Sequence, residues 1–286
     1  MKKAVAAALL ALGLAASQAR AAPSPDSPAV IPLKPYLGAL WSFDGVVGGR
    51  EGLFLLDTAG GLTVVTPAQA EAAGCKPWGQ LTGFRMRGDR VDTPRCDGVA
   101  VTAEGTRLEV PTAGVFDIGK LLPSGAPPLA GSVALDAFAG RVVTLDLAHR
   151  RLIVETPQSL AVRVRDAVEV PVRFCREMGG LTLTPMVPVE TPAGRAWMEL
   201  DSGSDAAVIV DRHVAAPLGL DPTVKTSQPL DAKIAGGVAL RGRALVQDLI
   251  LDGNIGLPVL ARWTVTLDLA RQKAWIAPAA EAAARP

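Results

Sequence analysis

Two aspartates, Asp57 and Asp201, lie 144 residues apart in segments that repeat one another, Leu53-Phe54-Leu55-Leu56-Asp57-Thr58-Ala59-Gly60 and Trp197-Met198-Glu199-Leu200-Asp201-Ser202-Gly203-Ser204. In each segment an apolar run delivers an aspartate that is followed by a hydroxyl residue and then by small residues. A lone aspartate at a strand end is ordinarily a turn former, because its carboxylate satisfies nearby backbone N–H groups. The same aspartate at the same place in two related segments has a second use, since a two-fold axis between the copies brings both carboxyls together. Two carboxyls in one site cannot both ionise cheaply, so they share a proton and leave a neutral acid beside a carboxylate base. Such a pair can activate water against a peptide carbonyl.

The elements that position these residues are duplicated too. Val142-Val143-Thr144-Leu145-Asp146-Leu147-Ala148 recurs as Thr264-Val265-Thr266-Leu267-Asp268-Leu269-Ala270 with an offset of 122, so the first copy is 22 residues longer than the second. The same order in both halves implies an internal duplication and two related lobes. Each copy is mainly β-structure. Residues 37–44 and 52–57 flank a turn at 46–50, residues 185–189 and 195–201 flank one at 191–194, and both hairpins feed an aspartate. After each aspartate come a turn, a β-branched run (62–65, 207–210) and a short helix. Thr66 caps the first helix with Pro67 at its first position and Gly74 as terminator; Asp211 caps the second, which ends near Pro217 and Gly219. Residues 141–147 and 264–269 alternate as strands do. Asp146 and Asp268 fit turn caps before basic turns, His149 and His213 fit solvated positions, and Trp41, Trp197, Trp263 and Trp275 fit core positions in strands.

At Leu56-Asp57-Thr58-Ala59-Gly60 and Leu200-Asp201-Ser202-Gly203-Ser204 the chain resembles the aspartic proteases, in particular bacterial retropepsin-like proteins with two fused lobes. The resemblance implies an all-β fold of two pseudo-symmetric closed-barrel lobes with a cleft between them. It makes Asp57 and Asp201 the catalytic pair, Thr58 and Ser202 the hydroxyls that lock the two loops together, and Ala59, Gly60, Gly203 and Ser204 the loop support. Asn254-Ile255-Gly256 partly fits the hydrophobic-hydrophobic-Gly element beneath the second loop, and Ser132-Val133-Ala134 stands in its place in the first. Ala59 and Ala134 occupy the positions of family glycines. The family covers its cleft with a hairpin flap, and two hairpins are candidates: residues 84–91 with Arg87, Gly88 and Asp89 at the turn, and residues 233–240 with Gly236 and Gly237.

Composition narrows the alternatives. Lys+Arg 29 against Asp+Glu 28 leaves no single-sign field, which argues against nucleic acid as a partner. Hydrophobic residues are 49% but aromatics only 4%, so the core is aliphatic. Lys2 and Lys3, an apolar run over 4–16 and Ala19-Arg20-Ala21 read as a signal peptide cut after Ala21. This places the mature protein in the periplasm or medium, with no membrane anchor. Three cysteines in an oxidising compartment allow one bridge; Cys75 and Cys96 enclose a hairpin signal and are its expected partners, leaving Cys175 as a small buried hydrophobe. Neither a metal-ligand spacing nor a Gly-x-Ser-x-Gly elbow occurs.

The expected organisation is a signal peptide (1–21), a flexible segment (22–36), a first lobe (37–156), a connection (157–171), a second lobe (172–277) and a flexible tail (278–286). The expected function is an exported aspartic endopeptidase acting without a cofactor on an extended polypeptide; the oligomeric state is left open, a monomer being compatible with both lobes in one chain. Two other readings fit the residues: a peptide-binding pseudoprotease with the same fold, and a β-rich envelope protein whose repeat is only architectural.

Overall fold

A computed structural model describes residues 27–280 of the chain. The signal segment and residues 22–26 lie outside the described residues. The first half runs β1 (Ala29–Pro32), β2 (Lys34–Tyr36), β3 (Leu40–Val47), β4 (Arg50–Leu56), β5 (Val64–Val65), α1 (Pro67–Ala72), β6 (Trp78–Phe84), β7 (Arg90–Ala103), β8 (Thr106–Val115), β9 (Gly131–Val133), β10 (Val142–Asp146) and β11 (Arg151–Val154). Then come α2 (Pro157–Arg163), β12 (Val168–Val170), β13 (Arg173–Cys175), β14 (Thr184–Thr191), β15 (Gly194–Leu200), β16 (Val208–Asp211), α3 (Arg212–Ala215), β17 (Gln228–Ile234), β18 (Val238–Gln247), β19 (Gly253–Ile255), α4 (Leu257–Leu260), β20 (Trp263–Asp268) and β21 (Lys273–Pro278).

Each lobe has its own sheet, β2-β3-β4-β9-β5-β8-β7-β6 in the first and β13-β14-β15-β19-β16-β18-β17 in the second. Extra pairings, β3 with β7 and β14 with β17, fold each sheet back on itself. A third sheet, β1-β11-β10-β20-β21-β12, draws strands from both halves and joins them. Its central pair is self-complementary: Val142 lies opposite Asp268 and Asp146 opposite Thr264, so the repeat operation, which carries Val142 to Thr264 and Asp146 to Asp268, exchanges one pairing for the other. At the centre Thr144 faces Thr266, and their buried hydroxyls are hydrogen-bonded at 2.9 Å. The pseudo-two-fold axis passes between these two threonines. One continuous aliphatic core, with Phe43 stacked on Phe54 in the first lobe, extends through both halves.

Strand registers locate the 22 extra residues. Val64 and its parallel partner Gly114 are 50 residues apart, whereas the equivalent Val208 and Ala244 are 36 apart, so fourteen of them fall here. This longer stretch contains the β6–β7 hairpin, which has no counterpart in the second lobe among the described residues. Residues 233–240, expected as a second flap, are instead the turn between β17 and β18, the counterpart of the β7–β8 turn. Gly236 packs against the Glu169 carbonyl and the Val168 and Val170 side chains of β12, so this hairpin is fixed to the joining sheet. Gly236 and Gly237 are therefore not flap residues.

Two segment expectations also change. Residues 27–36 carry β1 and β2: β1 pairs with β11 at the edge of the joining sheet, and β2 pairs with β3. The 157–171 connection contains α2, capped by Thr156 and Ser159 in a reciprocal box, because a hydroxyl before Pro157 satisfies the first free N–H groups better than an extended chain would. The second lobe also has eight residues, 176–183, between β13 and β14 where the first has three, 37–39.

Cys75 and Cys96 are bridged across 21 positions, tying the end of α1 to β7 at the base of the β6–β7 hairpin. Closing a loop of that length stabilises by about 3 kcal/mol in the chain-entropy model. Peptide mass mapping without reduction should recover a Cys75–Cys96 cross-linked pair and an alkylatable Cys175, and Cys75→Ser with Cys96→Ser should lower the melting temperature; free thiols at both positions would refute the assignment.

Candidate active site

Strands β4 and β15 end at equivalent points, and the neighbouring strands anchor the loops that leave them. The Asp57 N–H donates to the Val133 carbonyl at 3.1 Å and the Asp201 N–H to the Ile255 carbonyl at 2.9 Å. The next residue in each loop reaches across the axis. Thr58 Oγ1 donates to the Leu200 carbonyl at 2.6 Å, and Ser202 Oγ to the Leu56 carbonyl at 2.9 Å. Each hydroxyl oxygen also accepts the other residue's backbone N–H, Ser202 to Thr58 at 2.9 Å and Thr58 to Ser202 at 3.0 Å. Both residues are fully buried, so these four bonds form without competition from water. They clamp the loops back to back.

The clamp brings Asp57 and Asp201 into direct contact, carboxyl hydrogen-bonded to carboxyl. Asp201 is 7% exposed, while Asp57 is half-buried. Burial, followed by the charge of Asp201, pushes the Asp57 carboxyl up to about 8, against small opposing contributions from the Gly60 and Ala59 N–H groups. Burial also raises Asp201, opposed by donors from Asn254 and the Gly203 N–H. One proton held between Asp57 and Asp201 gives an acid and a base at one point.

The glycine pattern follows from this contact. A Cβ at Gly203 would sit 2.6 Å from the Asp57 Cγ, so the second loop has no room for a side chain. Its first-lobe mate is Ala59, whose N–H still donates to Asp57 Oδ1, at 3.2 Å against 2.7 Å for Gly203 to Asp201 Oδ1. The supporting elements differ likewise. A Cβ at Gly256 would lie 2.0 Å from the Ala206 carbonyl oxygen, and Gly256 and Leu257 donate to the Ala207 and Ser204 carbonyls. In the first lobe Ala134 fits because Thr63 and Asp136 carry the load: the Thr63 N–H donates to both Asp136 oxygens at 3.0 Å, Thr63 Oγ1 donates to Asp136 Oδ1 at 2.6 Å, and the Ala134 N–H donates to Thr63 Oγ1 at 3.1 Å.

Three carboxyl-bearing or amide residues at the site were not expected from sequence. Burial pushes the Asp136 carboxyl up to about 6 and the Glu199 carboxyl up to about 8. Asn254, expected only as part of a glycine element, donates to Asp201 Oδ2 at 2.6 Å. The signal for Glu199 was its alternation with Asp201 along β15, which puts both on one face of the strand.

The residue 84–91 hairpin forms as expected, with the Arg85 N–H donating to the Asp89 carbonyl and the Gly88 N–H to the Arg85 carbonyl around Arg87. Its tip touches the second lobe, where the Ile250 N–H donates to the Met86 carbonyl at 2.9 Å. Met178 of the 176–183 segment packs on Gly83 of the same hairpin, and the Leu183 N–H donates to the Gly61 carbonyl beyond Asp57. The hairpin and this segment thereby bridge the lobes.

Other expectations fare unevenly. Asp268 caps the N–H groups of Ala270 and Arg271, whereas Asp146 binds the His149 ring at 2.7 Å and pairs with Arg151. His213 is exposed but not free, since it bridges Asp211 and Asp252. Trp263 is buried; Trp41, Trp197 and Trp275 are half-buried, with the Arg173 guanidinium 4.0 Å over the Trp197 ring. Cys175 is half-buried, its thiol 3.1 Å from the Met186 sulfur. Among the described residues no group of three His, Cys, Asp or Glu side chains is placed to hold a metal ion, and no helix is long and apolar enough to cross a membrane.

No family model and no curated protein matches the chain. Solved structures do. The basic 7S globulin from soybean matches with a TM-score of 0.60 at 12% identity, over 89% of this chain and 96% of the globulin. Conglutin gamma, a basic 7S globulin from lupine seeds, matches with a TM-score of 0.55 at 11% identity, over 89% of this chain and 95% of its own. Both are two-lobed proteins of one architecture. The fold is pepsin-like. At these identities the likeness carries the fold alone, so the chemistry rests on the geometry of this chain.

Two outcomes are expected. Gly203→Ala should cost about 1–3 kcal/mol and pull Asp57 off its partner, whereas Ala59→Gly should stay within about 1 kcal/mol; equal losses in thermal melts would contradict the asymmetry. Asp57, Asp136 and Glu199 keep protons in the folded state that the unfolded chain releases near the ordinary values of 3.8 and 4.5. Their contribution to stability is therefore full below those values and lost as pH rises through about 6 and about 8. Melting temperature should fall between pH 5 and pH 8, and a rise over that interval would show that the buried carboxyls are ionised.

Proposed function

We propose that this chain is an exported aspartic endopeptidase built as two fused retropepsin-like lobes. The observation that supports it is the contact of Asp57 with Asp201, enforced by the reciprocal Thr58 and Ser202 bonds. With one proton on the pair, the Asp201 carboxylate takes a proton from water as the water oxygen attacks the scissile carbonyl carbon, and the Asp57 carboxyl gives its proton to the carbonyl oxygen. The tetrahedral diol then collapses: its hydroxyl proton returns to the pair, the amide nitrogen is protonated, and the C–N bond breaks. No cofactor enters. An extended polypeptide is the substrate class, bound by strand-like pairing beneath the 84–91 hairpin. The Cys75–Cys96 bridge supports an oxidising setting, periplasmic or secreted.

Ala59 and the bridging hairpin favour a second reading, a module of the same fold that binds peptides without turning them over. The globulin names of the two matched structures do not separate the readings. Digestion of an unbiased peptide library across pH does. The endopeptidase should show a bell-shaped profile, lost at low pH when both carboxyls are protonated and lost at high pH as the Asp57 proton leaves at about 8. Asp57→Asn and Asp201→Asn should each lower cleavage by about 100-fold or more while remaining folded. Wild-type protein that binds library peptides and leaves them intact at every pH would establish the second reading.

A further inference from the structure

The two halves of the dyad rest on different floors. Strand registers pair Leu55 with Ser132 beneath Asp57, and Glu199 with Asn254 beneath Asp201. The first floor offers Asp57 no side-chain donor: Leu55 is apolar, and Ser132 Oγ is buried without a partner among the described residues. The second offers the Asn254 amide, fully buried, whose Nδ2 donates to Asp201 Oδ2 at 2.6 Å and lies 3.5 Å from Glu199 Oε2. An amide nitrogen has only hydrogens to present, so the oxygen that faces it must accept. Asp201 Oδ2 meets Asn254 and Oδ1 meets the Gly203 N–H at 2.7 Å, whereas Asp57 has only backbone donors, the Gly60 N–H and the Ala59 N–H at 3.2 Å.

Resting on the endopeptidase reading above, we infer that Asn254, backed by Glu199, is a positioning residue that fixes Asp201 as the anionic base of the pair and Asp57 as its protonated acid. An exchangeable dyad would split the proton evenly and present a mixture of two tautomers to substrate. Here one tautomer is selected before substrate arrives. Burial raises Glu199 most, followed by the charges of Asp201 just beyond its own strand, Asp57 on the facing loop and Glu177 on the 176–183 segment, against the Asn254 bond, and Cys175 on β13 lies within reach of its charge. It therefore stays neutral through the acid range, leaving the single charge of the site on the dyad.

The test compares Asn254→Ser, which installs the first-lobe residue, and Glu199→Gln with wild type on the same peptide library. Loss of the amide donor destabilises the monoanion, so the acid limb of kcat/KM in Asn254→Ser should move up by roughly one pH unit, with thermal melts confirming the fold. Glu199→Gln is neutral at all pH and should leave the acid limb in place while changing the basic limb. An Asn254→Ser enzyme with an unmoved acid limb overturns the inference and leaves the endopeptidase reading intact. If wild type cleaves nothing, that reading fails, and the inference is decided by carboxyl-carbon NMR of Asp201: a titration raised in Asn254→Ser supports it, and an unchanged one overturns it.

Discussion

Two like charges repel most where water is least able to screen them, and Asp57 and Asp201 are held face to face in such a place. The contact is imposed by the fold. Four bonds between Thr58, Ser202 and the carbonyls of Leu56 and Leu200 lock the loops, and the β10–β20 pair, registered on Thr144 and Thr266, locks the lobes behind them. Because neither the clamp nor the sheet can yield cheaply, the repulsion is relieved by keeping a proton. A proton kept on the pair below about 8 is the chemical content of the site.

Symmetry in the backbone and asymmetry in the side chains do different jobs. The repeated strands place two equivalent loops with equal precision. Beneath them the lobes diverge: Thr63 with Asp136 supports the first loop where Gly256 lets backbone close on backbone in the second. Leu55 and Ser132 in the first lobe occupy the places that Glu199 and Asn254 hold in the second, and among the described residues only the first lobe extends a hairpin toward the other. A symmetric frame guarantees that the carboxyls meet, and the unequal floor distinguishes them.

What sequence could show was whatever repeats. The offsets of 144 and 122 located both aspartates, both hairpins that feed them and the paired strands at the axis, because each depends on local pattern twice over. The cap at Thr66 and the Cys75–Cys96 bridge were legible from residue type and spacing. Single-copy features that depend on distant partners were not. Gly236-Gly237 looked like a flap since a Gly-Gly turn is the same string whether it stands free or packs on β12. Asp136, Glu199 and Asn254 act through burial and cross-strand register, which no local string specifies, and the strands at 29–36 need β11 and β3 as partners before they are strands at all.

The shared proton is open to direct observation. Carboxyl-carbon NMR of aspartate-labelled protein, titrated from pH 3 to pH 9, should show Asp57 and Asp201 moving together in two steps, the upper one near 8, with Asp57→Asn collapsing the Asp201 response to a single step. Two independent single-step titrations near the ordinary value of 3.8, unaffected by replacing the partner, would show that the carboxyls do not share a site.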